Sequence, residues 1–215
     1  YTDINGVLFN KEATQLLTYP AGKAGAHYIL PESVTGIGDY AFQYSTRLMA
    51  ITLEENSLLT DIGNYAFENC TRLMGITFGE NSLLAGIGNN AFQNCTRLAS
   101  IIIPEGVTSI GGGSFFGCTA LVSITIPEEL TGIGRACFAY CTSLTDITIP
   151  ESVTGIGDSA FTGCTRLTGI TFGENSLLVS IGHATFSDCH RLAGITIPER
   201  VTRIGNRTFA GCTSL

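Results

Sequence analysis

The sequence predicts a repeat solenoid, and three observations carry that prediction. An Ile-Gly dipeptide recurs at Ile37, Ile62, Ile87, Ile110, Ile133, Ile156, Ile181 and Ile204, at intervals of 23 or 25 residues. A phenylalanine stands five residues after each of these isoleucines, from Phe42 to Phe209. A leucine stands eleven residues after each, from Leu48 to Leu215. Self-similarity at such a period means that each unit has a face it cannot bury alone, so neighbours stack and share one core. Eight coils at strand spacing give a curved rod on the order of 40 Å long.

Within the unit 121–143 the elements follow in order. Ile124-Thr125-Ile126 alternates β-branched apolar and polar residues, which predicts a short strand with its threonine outward. Pro127 then stops the strand, because proline has no N–H for a ladder. The stretch Ile133-Gly134-Arg135-Ala136-Cys137-Phe138, with Cys141, groups apolar residues at offsets of three to five. That spacing predicts a short helical or 3-10 turn opposite the strand. The glycine after each isoleucine implies either a backbone angle or a close approach that a Cβ would forbid.

Three units are two residues longer than the rest. Their turn reads Glu-Asn-Ser-Leu-Leu at 55–59, 80–84 and 174–178, where the shorter units have Pro-Glu-x-Val-Thr, as at 150–154. The insertion follows the strand, so bulged edges are expected there with the register unchanged elsewhere. Residues 1–30 are expected to form an irregular N-terminal capping segment, with short strands at 6–9 and 15–19 around a polar turn. Residues 31–215 then carry eight repeats in one continuous solenoid. Leu215 is the leucine that would open a ninth unit, so the C-terminal end is expected to be truncated inside a longer array.

These units resemble the BspA-type leucine-rich repeat, as in Ile-Thr-Ile-Pro-Glu-Ser-Val-Thr-Gly-Ile-Gly-Asp-Ser-Ala-Phe-Thr-Gly-Cys-Thr-Arg-Leu at 147–167. The resemblance runs from Pro31 to Leu215, and the leader at 5–11 and 19–23 is similar to irregular units of that family. It implies a leucine-rich-repeat horseshoe of α/β type, with one short parallel strand per coil on the concave face. It also implies a bacterial protein, extracellular or at the cell surface, with a host matrix or cell-surface protein as partner.

Composition narrows the classes further. Charged residues make up 13% of the chain and apolar ones 44%, a balance that favours a packed core over disorder. With 11 basic and 18 acidic residues the net charge is −7, which disfavours a phosphate-backbone partner, so no nucleic acid is expected. No apolar run approaches the ~18 residues of a membrane-spanning segment.

Seven cysteines share one repeat position: Cys70, Cys95, Cys118, Cys141, Cys164, Cys189 and Cys212, with Ser45 in the first unit. None has the paired spacing that converges on zinc, so no metal is expected. Sulfurs about 5 Å apart on successive coils are within reach of pairing. Seven is odd, however, and a cysteine beside phenylalanine behaves as a small apolar residue, so a buried reduced ladder is expected. Cys137 takes the slot of Ala41, Ala66, Ala91 and Ala160 and is expected in the core as well. His27, His183 and His190 follow no repeat, and no nucleophile-elbow, phosphate-loop or zinc-hydrolase motif is present. No enzymatic role and no cofactor are expected.

The candidate ligand-binding face is the outward row of the strands: Thr52, Thr77, Ile102, Thr125, Thr148, Thr171 and Thr196, with Asp146 just ahead of the first isoleucine of its strand. Small residues hold Asp146's position elsewhere, as at Gly75, Ser100 and Ser123, so the face is expected to be flat and to have few aromatic anchors. The row fits a docking surface for an extended chain or a glycan, a water-ordering array, or simply the suitability of threonine for exposed strands. An arginine row (Arg47, Arg72, Arg97, Arg166, Arg191) and a glutamate row (Glu32, Glu55, Glu80, Glu105, Glu128, Glu151, Glu174, Glu199) flank it. One carboxylate per coil lacks the clustered oxygens of a calcium site, so both rows are expected to be solvated edges. Together these features predict a non-catalytic recognition or adhesion module, secreted or at the cell surface. The alternative is a structural spacer with no ligand of its own.

Overall fold

Each coil offers its neighbours two rows of short strands. The computed structural model describes residues 1–215. The first row begins with His27–Leu30, Ala50–Leu53 and Gly75–Thr77, paired in parallel with Tyr28 beside Ile51 and Ile51 beside Ile76. The second row is the Ile-Gly dipeptides and the residues before them, in segments such as Gly36–Ile37, Asp61–Ile62 and Gly86–Ile87. There the isoleucines stay opposite one another even where a longer coil meets a shorter one, as at Ile87 with Ile110 and Ile156 with Ile181. The two-residue insertions are therefore absorbed before the Ile-Gly row begins.

The regular coil starts ahead of Pro31, since His27–Leu30 is already the first strand of the solenoid. Before it lie three strands, Thr2–Ile4, Val7–Phe9 and Gln15–Thr18, which pair antiparallel with one another. Leu16 then joins the Ile-Gly row in parallel beside Ile37. Val7, Phe9 and Leu16 are fully buried and cover the first coil.

The side opposite the strands carries no helix and no 3-10 segment, contrary to the sequence expectation. It is a run of tight turns whose amides alternate in direction. In the first coil, Ala41, Gln43 and Ser45 donate back to the carbonyls of Gly38, Tyr40 and Phe42. The amides between them, of Tyr40, Phe42 and Tyr44, donate across to Asn64, Ala66 and Glu68 of the next coil at 2.9, 2.7 and 2.9 Å. A helix would direct every amide inward to its own segment. Two residues per coil also hold positive φ, such as Tyr40 (59°) and Tyr44 (58°) or Ala184 (51°) and Asp188 (59°), a conformation foreign to a right-handed helix.

The glycine after each isoleucine resolves to close approach. A Cβ on Gly182 would stand 2.5 Å from the Asp158 amide nitrogen and 2.6 Å from the Gly157 carbonyl carbon of the preceding coil. Its φ is not positive, so space rather than backbone angle excludes a side chain there.

One apolar core runs the length of the molecule. Its axis is a column of phenylalanines, Phe42 to Phe209, with successive ring centroids 4.9 to 5.7 Å apart and planes within 21° of parallel. Stacks in this range add roughly 0.5–1.5 kcal/mol each beyond area burial. Tyr19 heads the column, 5.0 Å from Phe42. Beside the rings, each ladder thiol donates to a phenylalanine carbonyl of the preceding coil, from Cys70 to Phe42 at 3.0 Å through to Cys212 to Phe186 at 3.0 Å. Burial pushes the Cys70, Cys118 and Cys189 thiols up to about 12. Ser45 holds this position in the first coil, is buried, and its hydroxyl meets no partner.

Candidate functional site: the strand face

Alternation along each strand sends isoleucine or leucine inward and one residue outward. Thr52, Thr77, Ile102, Thr125, Thr148, Thr171 and Thr196 are all exposed on the outer side of the strand row, and Asp146 is exposed beside them. The parallel register sets Thr52 beside Thr77, Ile102 beside Thr125, and Thr148 beside Thr171. Asp146 accepts a hydrogen bond from the Thr168 hydroxyl at 3.1 Å.

The row is not one sheet. It is divided into sets of three, two and two strands, and 195–197 forms no strand at all. Two of the three divisions follow the step from a longer coil to a shorter one, after Gly75–Thr77 and after Gly169–Phe172. Each division opens a recess in the face. One of about 580 Å³ lies between Thr77 and Ile102, one of about 690 Å³ between Thr171 and Thr196, and a smaller one of about 260 Å³ between Thr125 and Thr148. The outer surface is thus notched where a flat one was expected.

The recess beside Ile102 is also bordered by an apolar side chain that the strand pattern did not single out. Ile102 is 75% exposed in a column that holds threonine in each of the other coils from Thr52 to Thr196 and Ile29 in the first strand, Met74 lines the same recess, and Val122 is exposed on the following coil. Met74 and Val122 occupy the position right after the repeat leucine, which holds Ala99 and Thr168 elsewhere. Comparing that column across units is the signal that finds them.

The flanking charges are less regular than their spacing. Glu54, rather than Glu55, meets Glu32, and hydrogen bonding and repulsion from the Glu32 carboxyl raise its pKa. Glu151 accepts from the backbone and side-chain amides of Asn175, at 2.9 and 3.3 Å. Arg47, Arg72, Arg97, Arg166 and Arg191 are all exposed. The three histidines stand on separate elements: His27 in the first strand, the His183 amide donating to Asp158, and His190 Nδ1 against the Gly211 carbonyl.

In-register parallel strands on one side, a turn layer on the other and a leucine-lined core between them define a leucine-rich-repeat solenoid. The family model of the BspA type leucine rich repeat region matches residues 25–144 and 85–215, and the chain belongs to that family. The fold is similar to the crystal structure of a leucine-rich-repeat protein of T. pallidum, at 28% identity and TM-score 0.74, over 83% of this chain and 82% of that one. A leucine-rich-repeat protein of Bacteroides ovatus matches at 25% identity and TM-score 0.78, over 99% of this chain and 61% of that one. One of Eubacterium ventriosum matches at 26% identity and TM-score 0.70, over 98% and 49%. The chain thus spans about three-fifths and one half of the latter two proteins. No curated protein sequence matches it significantly.

Proposed function

We propose that the chain is a non-catalytic recognition module of a surface-attached or secreted bacterial protein, and that it binds a protein ligand through the strand face. One observation carries this reading. Met74 and Ile102, both exposed, border a recess within a row of hydroxyls and small side chains, and Val122 is exposed on the following coil. Apolar anchors with a polar surround are the pattern of a contact hot spot. The arginine and glutamate rows on either side would fix the register of a bound chain more than its affinity.

The test is surface plasmon resonance against purified extracellular-matrix proteins, comparing the native chain with an Ile102→Asp, Thr125→Arg double variant. Both positions point to solvent, so the melting temperature should hold while binding weakens by about tenfold or more. If no matrix or cell-surface protein binds, or if binding survives the double variant, the strand face is not the recognition surface. The unbroken phenylalanine column would then favour a spacer that holds other domains at a distance.

A further inference from the structure

On the turn side, two columns of residues follow the Ile-Gly dipeptide, and both lose their side chains in the fourth coil. The first column reads Asp39, Asn64, Asn89, Gly112, Arg135; the second reads Tyr40, Tyr65, Asn90, Gly113, Ala136. Asp39 and Asn64 of the first column each accept from the next coil twice. Asp39 Oδ1 takes the Asn64 backbone N–H and its Nδ2, the latter at 3.2 Å. Asn64 Oδ1 takes the same pair from Asn89, at 2.8 and 3.2 Å. At Asn89 the ladder breaks: its Oδ1 accepts the Gly112 N–H at 2.8 Å, and Gly112 has no amide side chain to supply the second bond. Within the ladder Asn89 therefore keeps one carbonyl lone pair and one amide proton without a partner.

The gap is a hollow of about 560 Å³, within the ~300–1,000 Å³ range of small-ligand sites. Tyr65 stands on one side, its ring stacked on Tyr40 at 5.0 Å with planes 4° apart. Phe116, packed edge-on against Tyr140 at 5.3 Å, forms another wall, and the exposed Arg135 closes the far side. The hollow lies at the seam where the Ile-Gly row divides into two sheets, between Ser109–Ile110 and Gly132–Ile133.

We propose that this hollow binds an acidic oligosaccharide. A sugar hydroxyl donates and accepts at once, which is what the interrupted amide ladder offers at Asn89. The C–H faces of a pyranose suit the aromatic walls, and a uronate carboxylate suits the Arg135 guanidinium, whose charge-assisted bonds are about twice as strong as neutral ones. The site is on the opposite side of the coil from the strand face and is independent of any protein bound there.

The probe is a hyaluronan hexasaccharide, with chitohexaose as its neutral counterpart. Binding is followed by tyrosine fluorescence, in a chain without tryptophan, and by calorimetry. The acidic sugar should bind about tenfold tighter than the neutral one, and Arg135→Gln should abolish that preference. Gly112→Asn restores the missing rung and should remove binding with the fold intact. Tyr65→Ala tests the wall without straining the turn, because Ala136 and Ala184 occupy the same column at φ 52° and 51°. The strand-face double variant should bind the sugar normally. Failure of the native chain to bind either sugar, equal affinity for both, or binding untouched by both Gly112→Asn and Arg135→Gln would overturn the proposal.

Discussion

The first and last rings of the aromatic column sit in different surroundings. At the N-terminal end Tyr19 lies over Phe42, and Val7, Phe9 and Leu16 are as completely buried as any residue in the middle. At the C-terminal end Phe209 is half-buried and Ile204 is 48% exposed. A stacked coil shields only the side its neighbour covers, so a terminal coil becomes interior only when something of different topology lies across it. The antiparallel strands at 2–18 do this, and they turn an end into part of the core.

The largest expected effect tests that equivalence. Phe138→Ala in the middle and Phe9→Ala in the cap should each cost about 3–5 kcal/mol in urea unfolding, while Phe209→Ala should cost about 1 kcal/mol or less. Equal losses at all three positions would break the comparison.

Next in size comes the response to alkali. Burial holds the Cys118 thiol near 12 against an ordinary 9.0, so the folded state keeps the proton that the unfolded state releases. That contribution is whole below pH 9 and is lost as pH rises toward 12. The urea midpoint should fall across this window, and less steeply in a Cys118→Ala variant. In native protein the half-buried Cys212 should react with iodoacetamide well before Cys118, as mass spectrometry of the alkylated peptides would show.

A third pair of variants separates coil contact from glycine content. Gly182→Ala forces a Cβ onto the backbone of the preceding coil and should cost about 1–3 kcal/mol. Gly194→Ala meets open space and should stay within about 0.5 kcal/mol of the parent. The smallest effect has the opposite sign. Ser45→Ala removes a buried hydroxyl without a partner and should raise stability by about 1 kcal/mol, whereas the thiols of later coils have their acceptors.

The repeat positions were legible in the sequence because identical neighbours give identical burial: Ile, Phe and Leu recur wherever coils share the core. Tyr19 was legible too, since it lies 23 residues before Phe42, one short repeat ahead. The turn layer was not. Its positive-φ positions hold Tyr, Asn, Ala, Ser, Asp, Arg and Gly in different coils, so no residue type marks them. What imposes that backbone is the alternation of amides between a coil and the next, which no single unit contains. The exposure of the threonine column follows from strand alternation, but two of the three recesses depend on the lengths of successive coils taken together. The meeting of Glu54 with Glu32 likewise depends on how an insertion in one coil lies against its shorter neighbour.

The hand-off of alternate amides from coil to coil also bears on inheritance. Every junction offers the same donors to the same acceptors, so a recombination event that drops residues 122–144 would bring Leu121 to Thr145 with each bond re-formed by an equivalent partner. Gain or loss of a whole unit is then nearly silent for the architecture. The length of such an array can drift while the sites at particular coils, such as the notch at Ile102, are moved bodily nearer to or farther from one another.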